Sequence, residues 1–163
     1  MVTHGEAEKD VPDPGLTEKG REQMERIKSR LPQKFSLVVC GVGKRHKQAC
    51  KIVTSQEPNF PSEVVGVKET LSSDGNRMIF LDGHEVGMRE YMQVAQELLG
   101  RVQPFLKQLF SKAKDPGDIL IVGGRIVAVG FGLDSEKVKP GQIFQITITD
   151  SGKIRISDYQ KAN

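Results

Sequence analysis

Residues 35–45 read Phe-Ser-Leu-Val-Val-Cys-Gly-Val-Gly-Lys-Arg, and this stretch indicates how the chain folds. The run from Phe35 to Cys40 is short, apolar and rich in β-formers, which is typical of a buried strand. Gly41-Val42-Gly43 then ends the strand in a tight loop, and we predict a helix from Lys44 to Ser55. A strand that passes through a short loop into a helix is the building unit of α/β proteins.

The rest of the chain continues this alternation. We predict, in chain order, a helix at 18–31 capped by Thr17, a weaker strand at 64–67, a loop at 72–76, a long helix at 85–114, a strand at 118–122, a short helix at 125–133, and two strands at 142–149 and 153–159 that pair around the turn 150–152. The pattern predicts a three-layer α/β/α sandwich with a mostly parallel central sheet and a C-terminal antiparallel hairpin. We expect residues 1–163 to form a single domain.

Composition and charge exclude several functional classes. Lys and Arg number 24 and Asp and Glu 21, which leaves a formal charge of only +3, and the charges are spread along the sequence. Nucleic-acid binding therefore has no basic tract to support it. The sequence lacks the run of about 18 to 20 apolar residues that a membrane helix needs, and its N-terminus lacks a signal-peptide pattern, so we expect a cytoplasmic protein with no membrane partner. The sequence carries no signal for the oligomeric state.

Three segments with short or cationic residues follow the predicted strands. His4-Gly5 follows the opening residues, residues 41–45 follow the second strand, and Gly123-Gly124-Arg125 follows the third. Ligands of parallel sheets collect beyond the carboxyl ends of the strands, so we predict that these segments meet at one edge. Because only Met1-Val2-Thr3 precede His4, we expect either a very short first strand or a chain that begins upstream of this sequence.

These segments carry a family resemblance. Thr3-His4-Gly5-Glu6-Ala7, followed by Leu16-Thr17-Glu18-Lys19-Gly20, resembles the opening of the histidine phosphatase superfamily, which includes the phosphoglycerate mutases. That family has Arg-His-Gly at the end of its first strand and Leu-Thr-x-x-Gly at the start of its first helix. Residues 37–49 are similar to its second block and residues 118–127 to its last, Val-Ser-His. The hairpin and short length most resemble the small bacterial phosphohistidine phosphatases.

The resemblance implies a phosphoryl-transfer site with an incomplete set of side chains. His4 matches the nucleophile that becomes phosphohistidine, and Arg45 matches a phosphate-binding guanidinium. Thr3 stands where the family has its first Arg, and we expect it to contact phosphate through one hydroxyl hydrogen bond. Gly124 stands where the family has its second His, and it offers phosphate only its backbone. The implied partner is phosphate or a phosphorylated small molecule or protein, and we expect no cofactor and no metal.

The proton donor of the family has two candidates in this sequence. Glu69 and Glu85 both lie in the appropriate region, and neither belongs to a clear motif. We prefer Glu69, because Glu85 is also explained as an acidic residue at the start of the long helix.

Nearby cations could replace the two missing side chains. Arg125 directly follows Gly124, and we hypothesise that it compensates for the missing Arg and His. Lys44 and His46 flank Arg45 and are weaker candidates. The ordinary interpretation of all three is a solvated basic surface.

The absence of two side chains from the family's site leads to two alternative predictions of function. If each lost charge-assisted hydrogen bond is worth about 1.5 to 3 kcal/mol, two of them weaken oxyanion stabilisation by roughly 3 to 6 kcal/mol, or about two to four powers of ten in rate. We therefore predict either a weak phosphoric monoester or phosphohistidine hydrolase acting through His4, or a non-catalytic pseudophosphatase that binds a phosphorylated ligand. A mutase is least favoured, because it needs the fuller site.

A second chemistry is also compatible with the stretch at residues 40–45. A Cys that ends a strand, a glycine loop and an Arg that opens a helix form the layout of cysteine-dependent phosphatases. Those enzymes need five residues between Cys and Arg, whereas four separate Cys40 from Arg45. We therefore prefer the histidine chemistry.

Overall fold

The computed structural model describes residues 1–112, 119–134, 136–149 and 151–159, apart from the side chains of Met92 and Val94. The strands are β1 Val2–Thr3, β2 Leu37–Cys40, β3 Phe60–Pro61, β4 Lys68–Leu71, β5 Arg77–Leu81, β6 His84–Gly87, β7 Ile119–Gly123, β8 Phe144–Ile148 and β9 Ile154–Asp158. The helices are α1 Glu18–Lys28, α2 Lys44–Thr54, α3 Met88–Lys112 and α4 Arg125–Gly130. Within these ranges, none of the helices has the length and apolar character needed to cross a membrane.

A parallel four-stranded sheet forms the centre of the fold. Its strand order is β1-β7-β2-β3, and every neighbouring pair is parallel. In this register Val39 of β2 pairs with Ile121 of β7, and Thr3 of β1 pairs with Gly123. Strands β8 and β9 form the predicted antiparallel hairpin. The parallel register brings the carboxyl ends of β1, β7 and β2 to one edge of the sheet.

Helices cover both faces of this sheet. Successive residues of a strand point to opposite faces, and β2 shows the consequence. Val38 lies in one hydrophobic core with Met24 of α1 and Ala49 of α2. Its neighbour Val39 lies in a second core with Leu106 of α3. The predicted three-layer α/β/α sandwich with a mostly parallel sheet is therefore confirmed.

Residues 64–87 differ from the sequence-based prediction. The predicted strand at 64–67 is wrong, and the three-stranded antiparallel sheet β4-β5-β6 was not predicted. The predicted loop at 72–76 is the turn between β4 and β5. Helix α3 begins at Met88, so Glu85 lies in β6 and does not open the helix. Lys114, Asp118 and Asp150, which the predictions placed at element ends or in the hairpin turn, lie outside the described residues.

The first helix anchors the loop that carries His4. Thr17 caps α1 as predicted, since its Oγ1 accepts a hydrogen bond of 3.0 Å from the Gly20 amide. The Thr17 amide in turn donates to the Glu6 carbonyl at 3.0 Å. Gly5 and Gly20 let the two backbones approach, because a Cβ on Gly20 would overlap the Glu6 carbonyl oxygen. The close approach holds residues 4–6 against α1.

Two glycine-to-alanine substitutions in helices should have opposite effects on stability. We expect Gly20→Ala to destabilise the protein by about 1–3 kcal/mol, because its Cβ has no space. We expect Gly100→Ala in α3 to stabilise it by up to about 1 kcal/mol, because a Cβ there meets nothing within 4 Å and alanine favours helix. Urea denaturation of both variants measures the difference. A Gly20→Ala protein as stable as wild type would contradict the close approach.

Candidate active site

The structure brings the three predicted segments together at the carboxyl edge of the sheet. His4 follows β1, Arg45 lies in the first turn of α2 after β2, and Gly124 follows β7. These residues line a cavity of about 600 Å³, whose wall also contains Glu69 of β4 and Arg77 of β5. The cavity therefore combines residues from the central sheet and from the small antiparallel sheet.

The ring of His4 has a defined tautomer. Its Nδ1 lies 2.7 Å from the Gly5 carbonyl oxygen. A carbonyl oxygen only accepts hydrogen bonds, so Nδ1 must carry the proton and Nε2 must carry the lone pair. Arg45 Nε donates to that Nε2 at 3.2 Å. The unprotonated nitrogen of a neutral imidazole thus faces a guanidinium group.

The surroundings of His4 keep its imidazole neutral. Burial lowers the pKa of His4 to about 4, and the positive charge of Arg45 acts in the same direction. At neutral pH the ring is therefore unprotonated at Nε2. This is the protonation state that a nitrogen nucleophile requires.

Arg45, Glu69 and Arg77 form a chain of ion pairs beside His4. Arg45 Nη2 lies 2.8 Å from Glu69 Oε1, and both residues are buried, with exposed fractions of 7% and 8%. Arg77 holds the same carboxylate through Nε at 2.8 Å and Nη2 at 2.6 Å. Two guanidinium groups thus share one carboxylate, which leaves a net positive charge. The Nη1 of Arg45 is buried and has no hydrogen-bond partner among the described residues.

The ion pairs determine the protonation state of Glu69. Burial alone would raise the pKa of this carboxyl, but the hydrogen bonds from Arg77 and the charge of Arg45 hold it below its ordinary value. Glu69 is therefore a carboxylate at neutral pH in this arrangement, and it positions Arg45. Glu85, the other predicted candidate for the proton donor, is exposed on β6 and does not line the cavity.

Cys40 lies away from the cavity. Its side chain is completely buried in the core between the sheet and helices α1 and α2. The neighbouring Cys50 thiol, together with burial, raises the pKa of the Cys40 thiol, and Cys40 Sγ donates to the Gly41 carbonyl oxygen at 3.0 Å. Since the thiolate is the nucleophile in cysteine chemistry, the alternative of a cysteine-dependent phosphatase using Cys40 and Arg45 is wrong.

Comparison with solved structures finds the same architecture in known phosphatases. The chain is similar to the α-ribazole phosphatase of Shigella flexneri, with 20% identity, a TM-score of 0.60, and coverage of 96% of this chain and 93% of that one. It is similar to the phosphoserine phosphatase of Entamoeba histolytica, with 11% identity, a TM-score of 0.65, and coverage of 99% and 95%. It is also similar to the mycobacterial glucosyl-3-phosphoglycerate phosphatase, with 12% identity, a TM-score of 0.61, and coverage of 99% of this chain and 98% of that one.

The chain has the histidine phosphatase fold. The likeness to the three phosphatases extends over nearly the full length of each chain, at identities of 11–20%. No family model and no curated protein matches the sequence.

Within the histidine phosphatase fold, two of the predicted phosphate contacts are not available. The Thr3 hydroxyl donates to the Lys139 carbonyl at 2.9 Å and accepts from the Gln142 amide at 2.9 Å. Thr3 is buried and does not line the cavity, so the structure does not bring its hydroxyl to the predicted phosphate site. Gly124 does line the cavity, but its amide donates to the Val65 carbonyl at 2.8 Å. The backbone at Gly124 therefore has no N–H left for an anion.

The predicted replacement cations have different environments. Arg125 is exposed at the start of α4 and lines the cavity. After burial and Arg45, its charge also contributes to the low pKa of His4, so the guanidinium acts on the site. Lys44 is exposed and does not line the cavity, which agrees with a solvated surface residue.

His46 lies at the candidate site, although the sequence favours a solvated surface residue at this position. Its side chain is completely buried, and its ring packs edge-to-face on His4 with 4.8 Å between the centroids and 88° between the planes. The interpretation of His46 as solvated basic surface is therefore wrong. A signal was present in the sequence, because His46, Ala49, Cys50 and Val53 form a stripe at helical spacing, and all four are buried.

Acid should destabilise the protein partly through His4. The pKa of His4 is about 4 in the folded protein and about 6.5 in an unfolded chain. Between these values the unfolded state binds more protons, so the contribution of His4 to stability is complete above pH 6.5 and is lost as the pH falls to 4. We expect His4→Gln to reduce the stability loss between pH 7 and pH 4 by about 3 kcal/mol.

Urea denaturation at the two pH values measures this difference. His84→Gln is the matched control, because His84 is exposed on β6. An undiminished acid dependence in His4→Gln would show that the surroundings of His4 do not lower its pKa in the folded protein.

Proposed function

We propose that this protein is a member of the histidine phosphatase superfamily and a slow phosphatase that forms phosphohistidine on His4. The observation that carries the proposal is the His4 ring itself. Its Nδ1 proton is held by the Gly5 carbonyl, and its Nε2 lone pair faces Arg45 at the wall of the cavity. A phosphoryl group bound to Arg45 would lie within reach of that lone pair.

The proposed reaction has two steps. First, His4 Nε2 attacks the phosphorus of a phosphomonoester, a P–N bond forms, the ester P–O bond breaks, and the leaving oxygen takes a proton from water. Second, water attacks the phosphohistidine, loses its proton to solvent, and releases inorganic phosphate as the P–N bond breaks. Arg45 neutralises the equatorial oxygens in both steps. The Gly5 carbonyl stabilises the charge that the ring carries as phosphohistidine.

Binding of the phosphoryl group requires a change at Arg45. In the structure its Nε covers the nitrogen of His4 that must attack phosphorus. The guanidinium must therefore turn toward the phosphoryl oxygens, and its Nη1 is already without a partner among the described residues. Glu69 keeps Arg45 close to His4 during this movement, because it also remains paired with Arg77.

Small phosphorylated molecules are the substrate class that the cavity favours. Its volume of about 600 Å³ lies within the usual range for small-molecule sites. Arg77 and Arg125 add positive charge to its wall. Among the structures with the same fold, the Entamoeba histolytica phosphoserine phosphatase has been solved with phosphoserine and with 3-phosphoglyceric acid.

One observation favours the alternative of a non-catalytic pseudophosphatase that binds a phosphorylated ligand. The guanidinium of Arg45 already makes two polar contacts, a hydrogen bond to Nε2 of His4 and an ion pair with the carboxylate of Glu69. Together with the loss of Thr3 and the Gly124 amide as donors, this pairing weakens the stabilisation of a transition state. A protein of this second class would bind phosphate without turning it over.

Hydrolysis of p-nitrophenyl phosphate from pH 5 to 8 separates the two functions. We expect slow turnover in wild type, a loss of at least about a thousandfold in His4→Ala because the nucleophile is absent, and unchanged activity in the control His84→Ala. Denaturation at alkaline pH, where the P–N bond of phosphohistidine is stable, should trap phosphate on His4. Orthovanadate binding without any turnover would support the pseudophosphatase and contradict the enzyme.

The role of Glu69 can be tested with leaving groups of different basicity. If Glu69 positions Arg45, Glu69→Gln should lower kcat/KM by about tenfold for p-nitrophenyl phosphate and for an alkyl phosphate alike. A proton donor would matter far more for the alkyl phosphate, whose leaving group needs the proton. A loss confined to the alkyl substrate would show that Glu69 donates a proton.

A further inference from the structure

His46 occupies a space that three glycines provide. A Cβ on Gly41 would lie 2.6 Å from Cγ of His46, and one on Gly43 would lie 3.1 Å from its Nδ1. A Cβ on Gly66 would overlap Nε2 of the same ring. Larger residues at these positions would expel the imidazole. The chain therefore holds this ring in a fitted space directly behind the proposed nucleophile.

The ring of His46 also faces the position where the sequence lacks an imidazole. A Cβ on Gly124 would lie 3.6 Å from Nε2 of His46, which is ordinary contact. A histidine side chain at 124 would extend beyond that Cβ and meet the ring of His46. An imidazole from the end of β7 and an imidazole from α2 thus compete for one space, and in this protein α2 provides it.

The nitrogens of His46 are weakly satisfied by the described residues. Neither Nδ1 nor Nε2 makes a well-formed hydrogen bond with them, although both are buried, and the Gly43 carbonyl beside the ring acts on its pKa only as the smallest of the influences. Burial lowers the pKa of His46 well below its ordinary value, so the ring is neutral and carries one N–H. Buried polar groups are nearly always hydrogen-bonded, so a weakly satisfied one beside a cavity is available to bind a ligand. His46 lines the same cavity as His4, Gly124 and Arg125.

We propose that His46 supplies the second imidazole of the phosphoryl site, and that its Nε2–H donates to an equatorial oxygen of a phosphoryl group held between His4 and Arg45. This inference rests on the proposed function. The group becomes reachable when Arg45 leaves Nε2 of His4, the movement that phosphoryl binding already requires. His46 then replaces part of the stabilisation that Gly124 does not provide.

Nitrogen NMR of the wild-type protein tests this directly, because the chain contains only three histidines. The probe is orthovanadate added to protein labelled with ¹⁵N at histidine. We expect the Nε2 resonances of His4 and His46 to shift together as the site saturates, with the Nε2 of His46 in its protonated, hydrogen-bonded form. The exposed His84 is the internal control and should not shift.

The outcomes distinguish the two proposals. If His4 shifts and His46 does not, the role of His46 is overturned and the proposed function stands. If neither shifts at saturating orthovanadate, the proposed function fails and the role of His46 fails with it.

A pair of variants gives a second measurement. We expect His46→Ala to weaken orthovanadate binding by about ten- to a hundredfold, the effect of one lost hydrogen bond to a charged group. The double variant His46→Ala/Gly124→His places the imidazole on β7 in the vacated space and should recover most of the affinity. Equal affinity of wild type and His46→Ala would overturn the inference. His84→Ala is the matched control and should bind orthovanadate as wild type does.

Discussion

The hydrogen bond from Arg45 Nε to His4 Nε2 joins residues 41 positions apart, and it depends on the parallel register of three strands. β7 lies between β1 and β2, and its pairing with both aligns their carboxyl ends. β1 has only two residues. The position of His4 therefore also depends on the hydrogen bond that its amide donates to the Gly123 carbonyl and on the contact of Gly5 with Gly20. The site is thus a consequence of how the sheet is assembled.

The charges around this bond leave an excess of positive charge beside the cavity. Arg45 and Arg77 share the single carboxylate of Glu69, and Arg125 adds a further positive charge at the cavity wall. A phosphate dianion, bound as proposed, would compensate this excess of positive charge. Burial is the main reason that His4 is neutral, and the charges of Arg45 and Arg125 act in the same direction. The positive charge that favours an anion therefore also helps to keep the His4 lone pair free.

Much of the fold could be predicted from the sequence, but only some of the residues that form the candidate site could be. The change from an apolar run to helical spacing after Gly43 located β2 and α2, and the turn before Lys153 located the hairpin. β4, β5 and β6 were missed because strands such as Lys68–Leu71 mix charged and apolar residues without clear alternation. The apolar run at 64–67 predicts a strand, but its apolar residues instead fill the cores on either side, Val65 with Ile121 and Val67 with Ile79.

The pairing of Glu69 with two arginines depends on that missed sheet, which is why its role could not be derived from sequence. The burial of His46 depends on Gly41 and Gly43 and also on Gly66, which is distant from them in the sequence and meets them only in the fold. The most direct test of the central claim is a crystal structure of the protein with orthovanadate. We predict vanadium bound at Nε2 of His4, with the guanidinium of Arg45 on its equatorial oxygens. Vanadate held elsewhere, with Arg45 still hydrogen-bonded to Nε2 of His4, would contradict it.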